Sequence, residues 1–504
     1  MDPAPPFPGS STRLQTLLLC LLALAAIVNA LAYTASAANP VLVSDNWFFL
    51  DHVVIPYAQG LMEPTDLLLK RGTLDHSQPL QRLLLIANYE WFDLDLRVEA
   101  VFAVVMGVLS LLLLAWLARA ELRRGGLLAG AAFVTMAAVY FSLSATVVFT
   151  WSLVTLGFLI NLAVFLWLAV TWRALADTRP VAVGLVFLAT LLLGLVADDT
   201  GLIAAIAASA ACLLYGARGH RWRPAAKVVV AIILGYFAYS MLYRAIAPTG
   251  PGLGGPGLAF DLASSLESLK NNIGDAWLWA AVPLTESLVH RVALTAWFGG
   301  AADAFVVGIA AVLAGAHCWF WAKALRGTAN RPAFIAVAIM LIFYGLVAGI
   351  IIARVSKFGP DYLWQPRYAS MFRLHLVALL LMLVAQAPVI IARGNEVRGA
   401  NFLGRATTLI AATLLSIVLL AQVPFAMTAW RQKVFVERWN DHIARQLQDL
   451  ARDPSHVPLN CVPQLKLCQA SATERARIVG FLSSQHLSVF SPDVRRRNDL
   501  PAAD

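Results

Sequence analysis

The residues best equipped for chemistry sit in one stretch, residues 44–82, which reads SDNWFFLDHVVIPYAQGLMEPTDLLLKRGTLDHSQPLQR. Asp45, Asp51, His52, Glu63, Asp66, Lys70, Asp75, His76 and Arg82 crowd together there among aromatic side chains. Carboxylates and imidazoles are the groups that move protons near neutral pH. Two further groups fall on the same side of the chain's apolar spans: the pair Asp198-Asp199, and the set Arg354, Lys357, Asp361, Arg367 and Tyr368. Carboxylates beside guanidinium groups at one membrane face suit acid/base chemistry on a substrate with an anionic head. Lipid phosphate is the natural anion at that depth. Each group also has a plain role. Asp45 can cap a helix beginning near Trp47. Arg354 and Arg367 can anchor the membrane interface by extending their heads to water. Asp198-Asp199 reads as a solvated turn, and Asp75-His76 as a surface pair. Carboxylates take divalent ions, but no spacing of ligands here argues for a metal. No Walker A loop and no GxGxxG after a strand is present, so no cofactor is implied.

The elements that must position these groups are membrane helices. The chain has 504 residues, of which 60% are hydrophobic and 13% charged. Soluble domains carry about 25% charge, so the composition is that of an integral membrane protein. The net charge of +9 then reports topology rather than affinity for nucleic acid. Eleven apolar spans are predicted: 14–33, 96–118, a hairpin over 127–172 split near 149–152, a second hairpin over 181–216 broken at 198–201, then 228–246, 302–322, 333–352, 370–392 and 407–427. The first span reads as an uncleaved anchor, being longer than the roughly 7–15 residues of a signal core. Residues 260–294 are amphipathic and only moderately apolar, and suit helices lying on the membrane surface.

Short connectors set the orientation. Arg119, Arg123, Arg124, Arg173, Arg179, Arg218, Arg221, Arg223, Lys227, Lys323, Arg326, Arg331, Arg393, Arg398 and Arg405 all follow or precede spans at one side. The turns near 150 and 198 on the other side carry no Lys or Arg. The positive-inside rule makes the first set cytoplasmic. Residues 1–427 then form the membrane domain, with outer loops at 35–95 and 247–300, and residues 428–504 form a small extracytoplasmic helical tail. Cys461 and Cys468 lie in that tail, where an oxidising exterior lets them pair. Cys20, Cys212 and Cys318 fall in apolar runs and read as small core residues.

At this point the arrangement resembles a family. A first span is followed by a long outer loop opening with an acid, Ser44-Asp45-Asn46-Trp47-Phe48-Phe49-Leu50, and an Arg-Tyr pair, Arg367-Tyr368, opens a late span on the same side. This is similar to the bacterial GT-C-type membrane glycosyltransferases, over residues 13–427. The resemblance implies an all-α polytopic fold in the cytoplasmic (inner) membrane and transfer of a sugar, with inversion, from a polyprenyl-phosphate carrier to a glycan, lipid or protein acceptor. It implies a catalytic aspartate at the start of the first outer loop, by position Asp45. Many members carry two adjacent acids there, where this chain has Asp45-Asn46. On this expectation Asp45 is the base. Arg367 and Tyr368 bind the lipid phosphate, with Arg354 and Lys357 in reserve. His52 and His76 tune the base or bind the acceptor, and Asp51 and Asp75 are substrate-site residues and the next candidates for the base. The competing readings are a transporter or flippase of lipid-linked saccharides and a non-catalytic assembly subunit. Topology is directly testable: reporter fusions after Lys227 and after Asp504 should report opposite sides of the membrane, and two cytoplasmic signals would overturn the span count.

Overall fold

The structure is a computed structural model that describes residues 10–69, 79–177, 179–247, 261–396 and 401–500. Asp75 and His76 lie outside the described residues. Every regular element among the described residues is helical. Among the described residues ten helices are long and apolar enough to cross a membrane. They are built on α1 (Ser10–Ala37), α3 (Leu96–Leu117), α5 (Gly157–Ala176), α6 (Pro180–Ala197), α7 (Asp199–Arg218), α8 (Trp222–Ile246), α12 (Ala302–Arg326), α13 (Arg331–Ile350), α14 (Ala369–Glu396) and α15 (Asn401–Arg452). Helix α2 (Pro79–Phe92) lies in the first loop, and α9 (Leu262–Asn271), α10 (Ala276–Glu286) and α11 (Arg291–Phe298) join α8 to α12. The chain ends in α16 (Ala472–Ser484) and α17 (Pro492–Asn498).

The remaining apolar helix, α4 (Gly126–Tyr140), has 15 residues, about 22 Å at 1.5 Å per residue, which is short of the roughly 30 Å hydrocarbon core. The tight hairpin expected over 127–172 is therefore corrected. Its first arm stops at Tyr140, and residues 141–156 form turns and two short helical pieces, Val147–Thr150 and Ser152–Thr155. These turns are largely buried in protein, as non-helical backbone at membrane depth must be. The surface-helix expectation for 260–294 also needs correction. Helix α9 fits it, with Leu262 and Leu266 exposed, but the end of α10 from Ala281 through Ser287 is buried in the bundle. Cys20 and Cys318 are exposed on helix surfaces rather than in the core, which only Cys212 enters.

Packing between the spans uses small residues, as close approach of helices in lipid requires. Gly345 and Gly349 stand one turn apart on α13, and a Cβ on Gly345 would lie 2.5 Å from Ile203 Cγ2 of α7. At one end of the bundle arginines tie connectors together. Arg331 Nε donates to the Leu117 carbonyl at 2.6 Å, and Arg218 Nη1 donates to the Ala324 carbonyl at 2.5 Å. Leucines of α1 such as Leu14, Leu18 and Leu21 stay more than half exposed, the surface a lipid-facing helix presents.

At the opposite end, the loop face, the first loop and the chain's last residues share one core. Leu42, Leu50, Val54 and Leu94 pack with Ile443, Leu447, Leu465, Leu482 and Val489. A boundary between residues 427 and 428 would cut α15, which runs unbroken to Arg452. Polar contacts reinforce the shared core: Ser44 N donates to Gln464 O at 2.7 Å, Ser488 N to Asp93 O at 2.7 Å, and Ser491 Oγ to Asp93 Oδ2 at 2.8 Å. Cys461 and Cys468 are joined in a disulfide, their Cα atoms 6.2 Å apart. Because Leu447 is fully buried there, Leu447→Ala should cost about 2–5 kcal/mol. Hydrogen exchange should then quicken in both 41–55 and 462–490; acceleration confined to the second segment would disprove a shared core.

Candidate functional site

Asp45 owes its place to the loop's opening turns. Asn39 N donates to Thr150 O at 2.9 Å, Asn39 Oδ1 accepts from Val41 N at 3.0 Å, and Leu96 N donates to Pro40 O at 3.1 Å. Ser44 then takes a positive φ of 51°, which turns the chain into the short helix Asn46–Phe49. Asp45 occupies the N-cap position of that helix but makes no side-chain cap bond. Its carboxylate instead lines a cavity. Asn46 beside it is 1% exposed and is not part of that lining.

The basic groups come from the far end of α13. That helix widens into a π turn, Ile351–Val355, and stops at Gly359, whose φ of 80° is available to glycine at little cost. Two short turns, Pro360–Trp364 and Pro366–Tyr368, lead into α14. Arg354 and Arg367 both face the cavity that Asp45 lines, as does Tyr368. Arg367 is held by two phenols. It donates from Nη2 to Tyr362 Oη, and its guanidinium lies 5.5 Å from the Tyr362 ring centre and 5.2 Å from that of Tyr368. Its Nε is buried with no hydrogen-bond partner among the described residues.

The cavity has a volume of about 760 Å³, within the range of small-ligand sites. Its charged lining, Asp45, Asp199, Arg354 and Arg367, comes from helix ends at the loop face. Below them the walls are apolar. One face of α13 contributes Ile339, Ile342, Leu346 and Ile350, while α5 adds Val164 and Phe165. From Ile339 to Arg354 is fifteen residues, about 22 Å of helix, or some two-thirds of the hydrocarbon thickness. The cavity is amphipathic along its length: ionic at the loop face and greasy towards the bilayer centre.

The other expected site residues lie elsewhere. Asp51 pairs with Arg477 of α16. His52 stacks on Phe48 at 4.3 Å, with Nδ1 3.1 Å from the Phe48 carbonyl. Neither lines the cavity, and both belong to the junction of the first loop with the terminal helices. Lys357 lies in the short turn Ser356–Phe358 beyond Arg354, half-buried and outside the cavity lining. Asp93 and Asp95, just before α3, serve the same junction. Asp95 is buried, accepts from Asn498 Nδ2 at 2.9 Å and lies 3.4 Å from Arg497 Nε. Burial pushes its carboxyl above the usual carboxylate range, and these partners pull it part of the way back.

Sequence reasoning missed a second polar cluster, sunk in the bundle between α10, α12, α13 and α14. Trp321 Nε1 donates to Tyr344 Oη at 3.0 Å, Tyr344 Oη and His317 Nδ1 are 2.8 Å apart, His317 Nε2 and His375 Nδ1 2.9 Å, and His375 Nε2 and Ser287 Oγ 2.9 Å. Ser287 Oγ donates to the Leu284 carbonyl at 2.6 Å. With both rings neutral, one assignment satisfies every link. Ser287 spends its only proton on Leu284, so His375 donates to Ser287, His317 to His375, and Tyr344 to His317. Beside this chain Glu286 and Arg373 are buried at 0% and 1% exposure, and Arg373 Nη2 donates to Ser144 Oγ at 2.9 Å. The presence of Arg373 and His375 inside an apolar span was the signal available in the sequence, because ionisable groups in spans face the protein interior.

Among the described residues no group of three or more His, Cys, Asp or Glu side chains is arranged to hold a metal ion. A scan against protein-family models, a search of curated proteins and a search of solved structures each return no match. What the fold defines is an all-helical, multi-pass membrane protein with an amphipathic cavity at one face.

Proposed function

We propose that the protein is a GT-C-type membrane glycosyltransferase that moves a sugar from a polyprenyl-phosphate carrier to a glycan, lipid or protein acceptor. The observation that carries this reading is the cavity's polarity gradient. Two carboxylates and two guanidiniums, from Asp45, Asp199, Arg354 and Arg367, stand at its mouth, and apolar walls run below them, the whole lining from Arg354 down to Ile339 of α13 spanning about 22 Å. That shape matches a lipid whose head is an anionic phosphate bearing a sugar. The arginine-rich connectors support a cytoplasmic side at the opposite end of the bundle by the positive-inside rule; on this reading the loop face and the terminal helices lie outside, on the outer face of a bacterial inner membrane.

In the reaction, Arg367 and Arg354 hold the phosphate by charge-assisted hydrogen bonds. Asp45 takes the proton of the acceptor hydroxyl. The acceptor oxygen forms its bond to the anomeric carbon from the face opposite the carrier. The bond from that carbon to the phosphate oxygen breaks, its electron pair stays on the phosphate, and the configuration inverts. The leaving group is already a stable anion, so cationic contacts serve it better than a proton. Asn46 does not weaken this reading. Its side chain faces the protein interior, where a second carboxylate would be stripped of water at considerable cost.

A second reading, a transporter of lipid-linked saccharides, draws on the buried Glu286, Arg373 and His375 with the half-buried His317, because intramembrane ionisable groups mark transport pathways as well. The two separate in one assay with purified protein in lipid vesicles. Under the transferase reading, Asp45→Asn should lower sugar transfer by about a hundredfold to ten-thousandfold with carrier binding intact. Arg367→Ala should weaken carrier binding by about tenfold or more, the loss of one charge-assisted contact. Movement of the lipid-linked sugar across the vesicle wall without transfer, unaffected by Asp45→Asn, would instead select the transporter.

A further inference from the structure

The cavity holds a second carboxylate that the proposed reaction does not use. Asp199 opens α7 and lines the same cavity as Asp45, Arg354 and Arg367. Thr200 beside it lines the cavity too. An inverting transfer needs one base, and the phosphate needs cations. A carboxylate and a hydroxyl that line the cavity beside the phosphate contacts have chemistry of their own to offer, since their oxygens have several lone pairs and accept hydrogen bonds from neutral hydroxyl groups. The volume of about 760 Å³ leaves room at the mouth for a sugar ring beside the phosphate contacts.

The chain keeps Asp199 in this position at a cost. Helices α6 and α7 are joined through a single residue, Asp198, which adopts φ 44° and ψ −116°. A non-glycine residue in such a region costs of order 1–3 kcal/mol. Asp198 itself is buried and turned away, accepting from Tyr239 Oη of α8 at 2.7 Å. Tyr239 comes that close to α6 because residue 194 is glycine, where a Cβ would collide with the tyrosine ring. The two adjacent acids are thus sorted, one tied to the scaffold and the other delivered to the cavity.

We propose that Asp199, with Thr200, is the sugar-selecting wall of the cavity, and that it selects a neutral, hydroxyl-rich sugar over an acidic one. This rests on the glycosyltransferase reading. A carboxylate gains from sugar hydroxyls that donate to it and is repelled by a uronate, so it discriminates by attraction and repulsion together.

The test is equilibrium binding to the full-length protein in nanodiscs of three probes: polyprenyl phosphate, its neutral hexosyl ester and its uronosyl ester. The wild type should bind the hexosyl probe at least about tenfold more tightly than the other two, the order of one hydrogen bond to a charged group. Asp199→Asn should lose most of that preference and keep its affinity for polyprenyl phosphate. Thr200→Val should lose part of it, which covers the case of an Asp199 variant that fails to fold. Undiminished preference in Asp199→Asn, or equal loss of affinity for all three probes, overturns the inference while leaving the transferase reading in place. A wild type that binds polyprenyl phosphate without preference among the three does the same. A wild type that binds none of the three removes both.

Discussion

A bilayer offers no hydrogen bonds, and that constraint organises this molecule. Every backbone amide inside the hydrocarbon must find its partner in the protein, and every ionisable side chain must find a neighbour or the water at either end. Arginines therefore gather at one end of the bundle, where Arg331 and Arg218 close the ends of neighbouring helices. Acids and the remaining arginines gather at the other. The regular α-helical ladder is interrupted at residues 141–156, which are largely buried in protein, and at residues 351–368, which are mostly half-buried at the loop face. Both contribute wall to the cavity, through Trp151 and Leu153 on one side and Arg354 and Arg367 on the other.

The cavity follows from how the helices end. Helix α13 leaves one apolar face unfilled from Ile339 upward and then turns its last residues outward through a wide turn and a glycine break. The first loop closes over this opening, and it holds its shape because the terminal helices share its core. Arg82 adds to that frame. Its buried guanidinium donates to the carbonyls of Asp66, Leu67 and Leu69 and lies 5.5 Å from the ring centre of Phe49, itself part of the cavity wall.

Much of this was legible in the sequence. Hydropathy and charge identified the spans because the bilayer imposes length and polarity on each one separately. Asp45, Arg354, Arg367 and Tyr368 were singled out and do meet in one cavity, since alternation of spans alone brings them to the same face. Asp51 and His52 were singled out by type and look elsewhere, because their direction depends on Arg477, some 426 positions further along the chain. The break after Tyr140 was hidden, since residues 141–150 are as apolar as a helix would be. The terminal helices read as a separate domain because their apolar residues match the loop only once both are folded. Glu286 and His317 were concealed by an amphipathic stretch and an apolar span in which each stands alone until the helices assemble.

The polar row from Trp321 to Leu284 has a further consequence. Both of its termini are chemically mute. An indole N–H can only give and a backbone carbonyl can only receive, so the row has one permitted sense, like a line of dominoes leaning the same way. A proton cannot be passed from end to end and out. What the row transmits is parity: reversing the tautomer of either ring demands that the other ring and both hydroxyls reverse with it. Four helical elements, those carrying Ser287, His317, Tyr344 and His375, are thereby bound to one collective state. The middle of this membrane bundle, where apolar contacts alone would let helices slide, is keyed to a single register.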